Sequence, residues 1–481
     1  MATTDSGGGG LNWLPATELA AGYAAKRFSP LEVIDAVLDR VRAVEPQVCA
    51  TYALDEDAAR KAAFESEQRW LRGEPAGPLD GVPATVKENI ATAGTPVPMG
   101  TAATELVPAS ADAPAAARLR ESGAVIFAKT TMPDYGMLSS GRSSFHPLAR
   151  NPWDLALNPG GSSAGAAAAV SAGYGPLHIG SDIGGSVRLP AGWCGAVGLK
   201  ASFGRIPVDP PYAGRHIGPL TRTVADAALA ASVLSGPDER DHTALPPADL
   251  NWTELDGAVA GLRIGLWLDP GAGMPVQPVV TETVTAAART LEEAGAIVEP
   301  IAPILTQGLL DDLDRFWRLR SWLDIAALAP ERRDLVLPEI VQWARGGAEL
   351  TGAQAFTGYS AMDAMAVAVK RCFGSYDFLL SPVAPIIAFP AELAFPTADP
   401  DLGHQHIAFT VPFNMSGHPA ISVNGGYSAA GLPVGVQFVG RRFDDLGVLR
   451  LAAAFERSRP AQRQWPQLVP NSSSGEIRHV S

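Results

Sequence analysis

The stretch from Asn158 to Pro207, NPGGSSAGAAAAVSAGYGPLHIGSDIGGSVRLPAGWCGAVGLKASFGRIP, decides how the rest of the chain is read. It holds two glycine-flanked serine sites, Gly160-Gly161-Ser162-Ser163-Ala164-Gly165 and Gly180-Ser181-Asp182-Ile183-Gly184-Gly185-Ser186, separated by an alanine-rich segment that reads as a buried helix. Glycine lacks a Cβ, so the backbone beside it can take positive φ and bring its N–H groups close to a bound carbonyl. Such a loop can supply both a nucleophile and the donors that hold an oxyanion. Either motif alone also fits a surface Gly/Ser loop. Two of them this close together point to a site.

Outward from that stretch, helical and strand-like segments alternate. Towards the N-terminus, Ser29-Pro30-Leu31-Glu32 has the form of a capping box, and Leu31, Ile34, Val37, Leu38 and Val41 then fall on one helical face. A second helix is predicted over Asp57 to Leu71, stopping at Gly73. The run Gly81 to Ile90 is strand-like and carries Lys87 directly after apolar residues. Lysine is scarce here, at 26, 61, 87, 129, 200 and 370 only, and a partly buried ammonium at 87 would have a lowered pKa. A helix over Ala113 to Glu121 gives way to a strand over Ala124 to Ala128. The same rhythm links the helix Ser163 to Ala172 with Leu177 to Ile179, and the helix Val279 to Glu293 with Ile297 to Ile301. Thr223 caps a helix running towards Leu234. This alternation predicts an α/β fold, a sheet with helices on both faces. From Leu305 to Phe373 the pattern changes to helices rich in Trp, Arg and Leu, which fit either a lid-like layer on the substrate side or extra core helices. Strands over Phe378 to Ser381, Ala420 to Val423 and Val434 to Val439 follow, then an amphipathic helix and a polar tail after Pro470.

The totals exclude several classes. At 481 residues with 47% apolar content, a large core around one sheet is available. A net charge of −13 with no basic stripe argues against nucleic acid. No run of 18 apolar residues offers a membrane span, and Met1 to Gly10 shows neither the basic start nor the apolar core of a secretory signal. Cys49, Cys194 and Cys372 lack metal or redox spacing and read as buried free thiols, so a reducing cytoplasm is the expected location.

Among hydrolytic chemistries, Gly161-Ser162-Ser163-Ala164-Gly165 matches the G-x-S-x-G elbow of an α/β-hydrolase-type esterase. That elbow needs a strand directly before it and a downstream His, whereas Trp153 to Pro159 reads as loop and only His418 tempts. His404 and His406 form a close pair without a third ligand or an H-E-x-x-H, so no metal is called for. No cofactor motif is present. Serine activated by lysine remains.

At this point the residues resemble the amidase signature enzymes. The resemblance runs through Gly81-Val82-Pro83 with Lys87 and Asn89, then Ala128-Lys129-Thr130, the Gly160 to Gly165 loop and Gly180 to Arg188. It continues through Cys194-Gly195, Gly198-Leu199-Lys200, Ser381-Pro382, Pro412-Phe413-Asn414 and Gly431 to Gln437. It implies one domain over 1–481 with a large mixed, mostly parallel twisted sheet, within which the sequence pattern sets off an N-terminal helical segment 1–75, a lid-like region 305–373 and a flexible tail 471–481. It implies Ser186 as the acylated nucleophile, Ser162 as a serine after a cis peptide bond, and Lys87 as the base. The N–H groups of Ile183, Gly184, Gly185 and Ser186 are expected to hold the oxyanion, with Asp182 and Arg188 fixing the loop. Lys129 and Lys200 are expected to have surface or packing roles, and Ala164 departs from the glycine usual in the family.

The partner implied is a small-molecule amide or carbamate, with esters and aryl amides also within reach of an acyl-enzyme route. Nucleic acid and membrane are not expected, and a homodimer is left open. The glutaminase-type component of a tRNA-dependent amidotransferase is the alternative within the family. The tryptophan-rich 305–373 region favours a hydrophobic substrate over glutamine.

Overall fold

The computed structural model describes residues 9–470; the expected tail 471–481 lies outside them. Eleven strands form one sheet. They are β1 (Thr51–Tyr52), β2 (Pro83–Lys87), β3 (Val125–Thr130), β4 (Leu177–Asp182), β5 (Val197–Lys200), β6 (His216–Thr221), β7 (Arg263–Leu266), β8 (Ile297–Pro300), β9 (Phe378–Pro382), β10 (Ala420–Tyr427) and β11 (Pro433–Gly440). Their order across the sheet is β1-β3-β2-β4-β6-β5-β10-β11-β9-β7-β8.

The sheet is mixed, as expected, but not mostly parallel. Six of its ten neighbouring pairs are antiparallel and four are parallel. The helix Arg188–Cys194 does carry the chain from β4 to a strand of the same direction, β5. However, β6 turns back and slots between the two, pairing antiparallel with both. Helix–strand alternation reports crossovers and is blind to a strand inserted afterwards.

Alternation along β2 separates two jobs. Ala84 and Val86 enter an apolar cluster with Leu177 and Ile179 of β4 and the helices Pro114–Glu121 and Val224–Leu234. Side chains of a strand point to opposite faces in turn, so Thr85 and Lys87 face the other way. That second face is covered by helix Ala164–Ala172, whose nine residues are all buried. Alanine lets this helix lie close on the sheet, with Ala168, Ala169 and Ala172 packed among Phe127 of β3 and the buried stripe of helix Pro30–Val48. The capping box that starts the latter helix is present: Ser29 Oγ accepts from Glu32 N at 3.2 Å, and Glu32 Oε2 accepts from Ser29 N at 2.7 Å.

The 305–373 region forms helices Gln307–Ala326, Pro330–Arg333, Pro338–Arg345 and Gly352–Cys372. All but Pro330–Arg333 share a buried cluster with Leu189 and Trp193 of the helix that follows Ser186, through Trp317, Ile340, Trp343 and Met365. The Trp-rich helices therefore pack directly over the second serine loop. Of the three cysteines only Cys194 is fully buried; Cys49 and Cys372 are half-buried, correcting the expectation for those two. No helix among the described residues is long and apolar enough to cross a membrane.

Candidate active site

Lys87 ends β2 with its side chain wholly out of solvent. Its Nζ donates to Ser162 Oγ at 2.8 Å and to Ser181 Oγ at 3.1 Å. Asn89 Nδ2 also donates to Ser181 Oγ, at 3.1 Å. Burial, aided by the charge of Arg215 and opposed by Asp182 and Glu88, brings the Lys87 pKa down from 10.5 to about 7. The side chain thus sits where a neutral amine is accessible near neutrality. Glu88, next in sequence, turns elsewhere: it accepts from Gly100 N and meets the ring of the buried His146.

The peptide bond between Gly161 and Ser162 is cis, as the resemblance implies. The two serine loops are joined through Ser163, whose N–H donates to the Ser186 carbonyl at 3.2 Å. Ser163 is no elbow nucleophile. It is fully buried, its Oγ bonds the Ser181 carbonyl at 3.2 Å, and no strand runs into it. His418 is likewise spent, on Ser416 Oγ at 2.9 Å and in a stack on Phe373.

Ser186 lies on the turn after β4, half-buried, and its Oγ has no hydrogen-bond partner among the described residues. The turn is shaped by Asp182 and Arg188, both buried and joined by two 3.0 Å contacts, Nε to Oδ2 and Nη2 to Oδ1. Arg188 also donates to the Thr410 carbonyl at 3.0 Å, Gln437 Oε1 at 2.7 Å and Asn414 Oδ1 at 2.6 Å. Asn414 Nδ2 returns a bond to Asp182 Oδ1 at 2.8 Å. Burial would push the Asp182 carboxyl up, but Arg188, Asn414 and His216 together hold it well below the usual carboxylate range. A buried pair with its remaining donors and acceptors met is a fixed part of the loop, as expected for Asp182 and Arg188.

One expectation is corrected here. Asp182 Oδ1 accepts the Gly185 N–H at 2.8 Å, and Oδ2 accepts that of Val187 at 3.1 Å, so Gly185 has no donor to spare for an oxyanion. The N–H groups of Ile183, Gly184 and Ser186 have no acceptor among the described residues. Gly185 serves the turn instead, through a φ of +125° that a side chain would resist. Gly184 serves by its bareness: a Cβ there would stand 3.0 Å from Trp317 and 3.4 Å from Ile407. Its carbonyl is held by Thr410 Oγ1 at 2.6 Å.

Lys129 and Lys200, expected at the surface or in packing, are both buried. Lys129 Nζ bonds the Ile90 carbonyl at 2.7 Å. Lys200 Nζ bonds the carbonyls of His418 and Ala201 at 2.5 and 3.3 Å and faces His216 Nε2 at 3.3 Å. A cavity of about 800 Å³, lined by Gln307, Asp314, Arg318, Asp401 and Gln405 among others, touches none of Lys87, Ser162 and Ser186. Sequence reasoning gave no role to Ser181, Thr410, Asn414 or Gln437. All but Ser181 lie far along the chain, and Ser181, Asn414 and Gln437 were visible only as motif positions.

A buried amine, bonded to the hydroxyls of Ser162 and Ser181 beside a turn that offers Ser186 and unpaired N–H groups, is the equipment of a serine hydrolase with a lysine base. The chain belongs to the Amidase family, whose model matches residues 32–449. It is 36% identical to an acylamidase from Rhodococcus erythropolis, across 96% of this chain and 98% of that one. It is 31% identical to a glutamyl-tRNA(Gln) amidotransferase subunit from Alkaliphilus metalliredigens, across 94% and 97%. The crystal structure of a bacterial aryl acylamidase of the amidase signature family superposes with a TM-score of 0.86 at 31% identity, covering 93% of this chain and 97% of that one.

Proposed function

We propose that this amidase cleaves acyl or aryl amides through an acyl-enzyme on Ser186, with Lys87 as base and Ser162 as proton relay. The observation that carries the reading is the 2.8 Å bond from a fully buried Lys87 to Ser162. Neutral Lys87 takes the proton of Ser162 Oγ as Ser162 takes that of Ser186, and Ser186 Oγ bonds the carbonyl carbon. The N–H groups of Ile183, Gly184 and Ser186 stabilise the oxyanion. As the tetrahedral species collapses, the proton returns through Ser162 to the leaving nitrogen, the C–N bond breaks and the amine departs. Water then adds to the acyl carbon, gives up a proton along the same path, and the carboxylate leaves as Ser186 regains its hydrogen.

Trp317 and Ile407 against Gly184 give the nucleophile turn an apolar wall. That wall, and the likeness to an acylamidase and an aryl acylamidase, support a hydrophobic substrate in preference to glutamine. In the test, a fluorophosphonate probe labels the wild-type chain at Ser186, and Ser186→Ala loses both label and aryl-amide turnover while keeping its melting temperature. Label on Ser162 or Ser163, or turnover by Ser186→Ala, sinks the assignment. Glutamine hydrolysis that requires a co-purified partner protein would move the chain to the amidotransferase role.

A further inference from the structure

Two arginines stand beside this site, and among the described residues neither is hydrogen-bonded to Lys87, Ser162 or Ser186. Arg215 immediately precedes β6. Asp182 is level with His216 where β4 and β6 run antiparallel, so the next step of the register brings Arg215 level with Ile183, the first residue of the nucleophile turn. Arg320 lies one helical turn beyond Trp317 on Gln307–Ala326, on the face that reaches Gly184. A short loop links the two: the Arg320 guanidinium sits 4.6 Å from the Tyr212 ring centroid, and the Tyr212 carbonyl accepts from Arg215 N at 2.9 Å. Arg215 Nη1 donates to the Pro210 carbonyl at 3.2 Å.

Among the described residues neither guanidinium is in an ion pair, whereas Arg315 and Arg318, on the same helix as Arg320, each are. Burial and the charge of Arg320 pull the Arg215 pKa down, with Asp209 opposing them. The Arg215 charge is felt as far as Lys87. Two half-buried like charges that feel one another are unfavourable until an anion comes within reach of them. A guanidinium fork matches a carboxylate in shape as well as charge.

We propose that Arg215 and Arg320 form a carboxylate-binding subsite, so that the preferred substrate is an amide bearing a carboxylate apart from its scissile bond. This rests on the amide-hydrolase reading and names its substrate class: an apolar body with an anionic end.

Two matched pairs of probes test the subsite. Glutaryl-4-nitroanilide against pentanoyl-4-nitroanilide puts the charge on the acyl side, and N-acetyl-4-aminobenzoate against N-acetyl-4-methylaniline puts it on the leaving side. Equilibrium binding to the Ser186→Ala protein and kcat/KM of the wild-type chain are measured for all of them. In one pair at least, the anion is expected to be favoured roughly 10- to 100-fold, the range of a charge-assisted hydrogen bond. That ratio should fall towards one in Arg215→Gln and in Arg320→Gln, and should shrink as salt is raised. Arg320→Gln keeps the test decisive if Arg215→Gln fails to fold. Equal binding within both pairs, or a ratio that survives both substitutions, overturns the proposal. A binding ratio without turnover of any probe defeats the hydrolase reading and leaves the subsite standing; turnover without a ratio does the reverse.

Discussion

Lys87 and Lys200 are the same residue type, each at the end of a strand, each with no exposed surface and each with its pKa lowered chiefly by burial. They differ in what their Nζ atoms meet. Lys87 meets two hydroxyls, on Ser162 and Ser181. Lys200 meets two carbonyls and a ring nitrogen of His216, whose other nitrogen faces the Gly214 carbonyl at 2.8 Å. A carbonyl only accepts, so it keeps a lysine proton in place. A hydroxyl accepts and donates, so it can pass a proton on. Burial lowers the pKa of both lysines; the partner types suit only Lys87 to the role of base proposed for it.

The sharpest way to break this comparison is to remove each lysine in turn. Lys87→Ala should cut turnover of a simple aryl amide by about 1,000-fold or more, within the range for loss of a positioned base, while the protein still melts cooperatively. Lys200→Met, of similar shape, should keep turnover per folded molecule within a few-fold. It should lower the unfolding free energy by about 2 to 4 kcal/mol, since two buried carbonyls lose their donor. Steady-state kinetics beside urea unfolding separate the two effects. Equal kinetic losses in both variants would erase the distinction between hydroxyl and carbonyl partners.

The meeting of Lys87 with Ser162 was legible through the family resemblance, whose motifs set Lys87 75 residues before Ser162 and Ser162 24 before Ser186. The fate of Gly185 was not legible. An Asp side chain turning back on the N–H three residues ahead leaves no trace in composition or periodicity. Strand direction was hidden for a related reason: alternation reveals which face a residue takes, and β6 wedged between β4 and β5 alters neither strand's pattern. Arg215 and Arg320 come from segments far apart in the chain and meet only through Tyr212, a contact that the fold alone creates.

Titration gives a second cut between the lysines. The proposed mechanism needs Lys87 uncharged, and burial brings its folded pKa down to about 7, so kcat/KM should fall roughly tenfold per pH unit below 7 and level off above it. Stability follows a separate rule. Between about 7 and the ordinary lysine value of 10.5 the unfolded chain holds a proton that folded Lys87 does not, so this group's contribution rises with pH by up to about 1.4 kcal/mol per unit. The shift at Lys200 has the same direction and adds to the slope. The acidic limb of the rate should therefore persist in Lys200→Met, whereas the slope of stability against pH should diminish. A limb that vanished with Lys200 would place the kinetic titration at the wrong amine.

The smallest effect belongs to Ser181, which separates a hydroxyl that relays from one that merely accepts. Its Oγ receives bonds from both Lys87 and Asn89, and it stands on β4, two residues before the turn that carries Ser186 begins. Ser181→Ala removes one acceptor from Lys87. An ammonium uses such acceptors more fully than a neutral amine does, so the charged form loses more, and the acidic limb should move to lower pH. The shift should be about 0.5 to 1 unit, the worth of one modest hydrogen bond, with kcat reduced only several-fold because the path through Ser162 is intact. Ser162→Ala, by contrast, interrupts that path and should lower kcat itself at every pH. If Ser181→Ala instead matched Ser162→Ala in depth at the plateau, the proton would be travelling through both hydroxyls, and the 2.8 Å bond to Ser162 would not be the sole exit from Lys87.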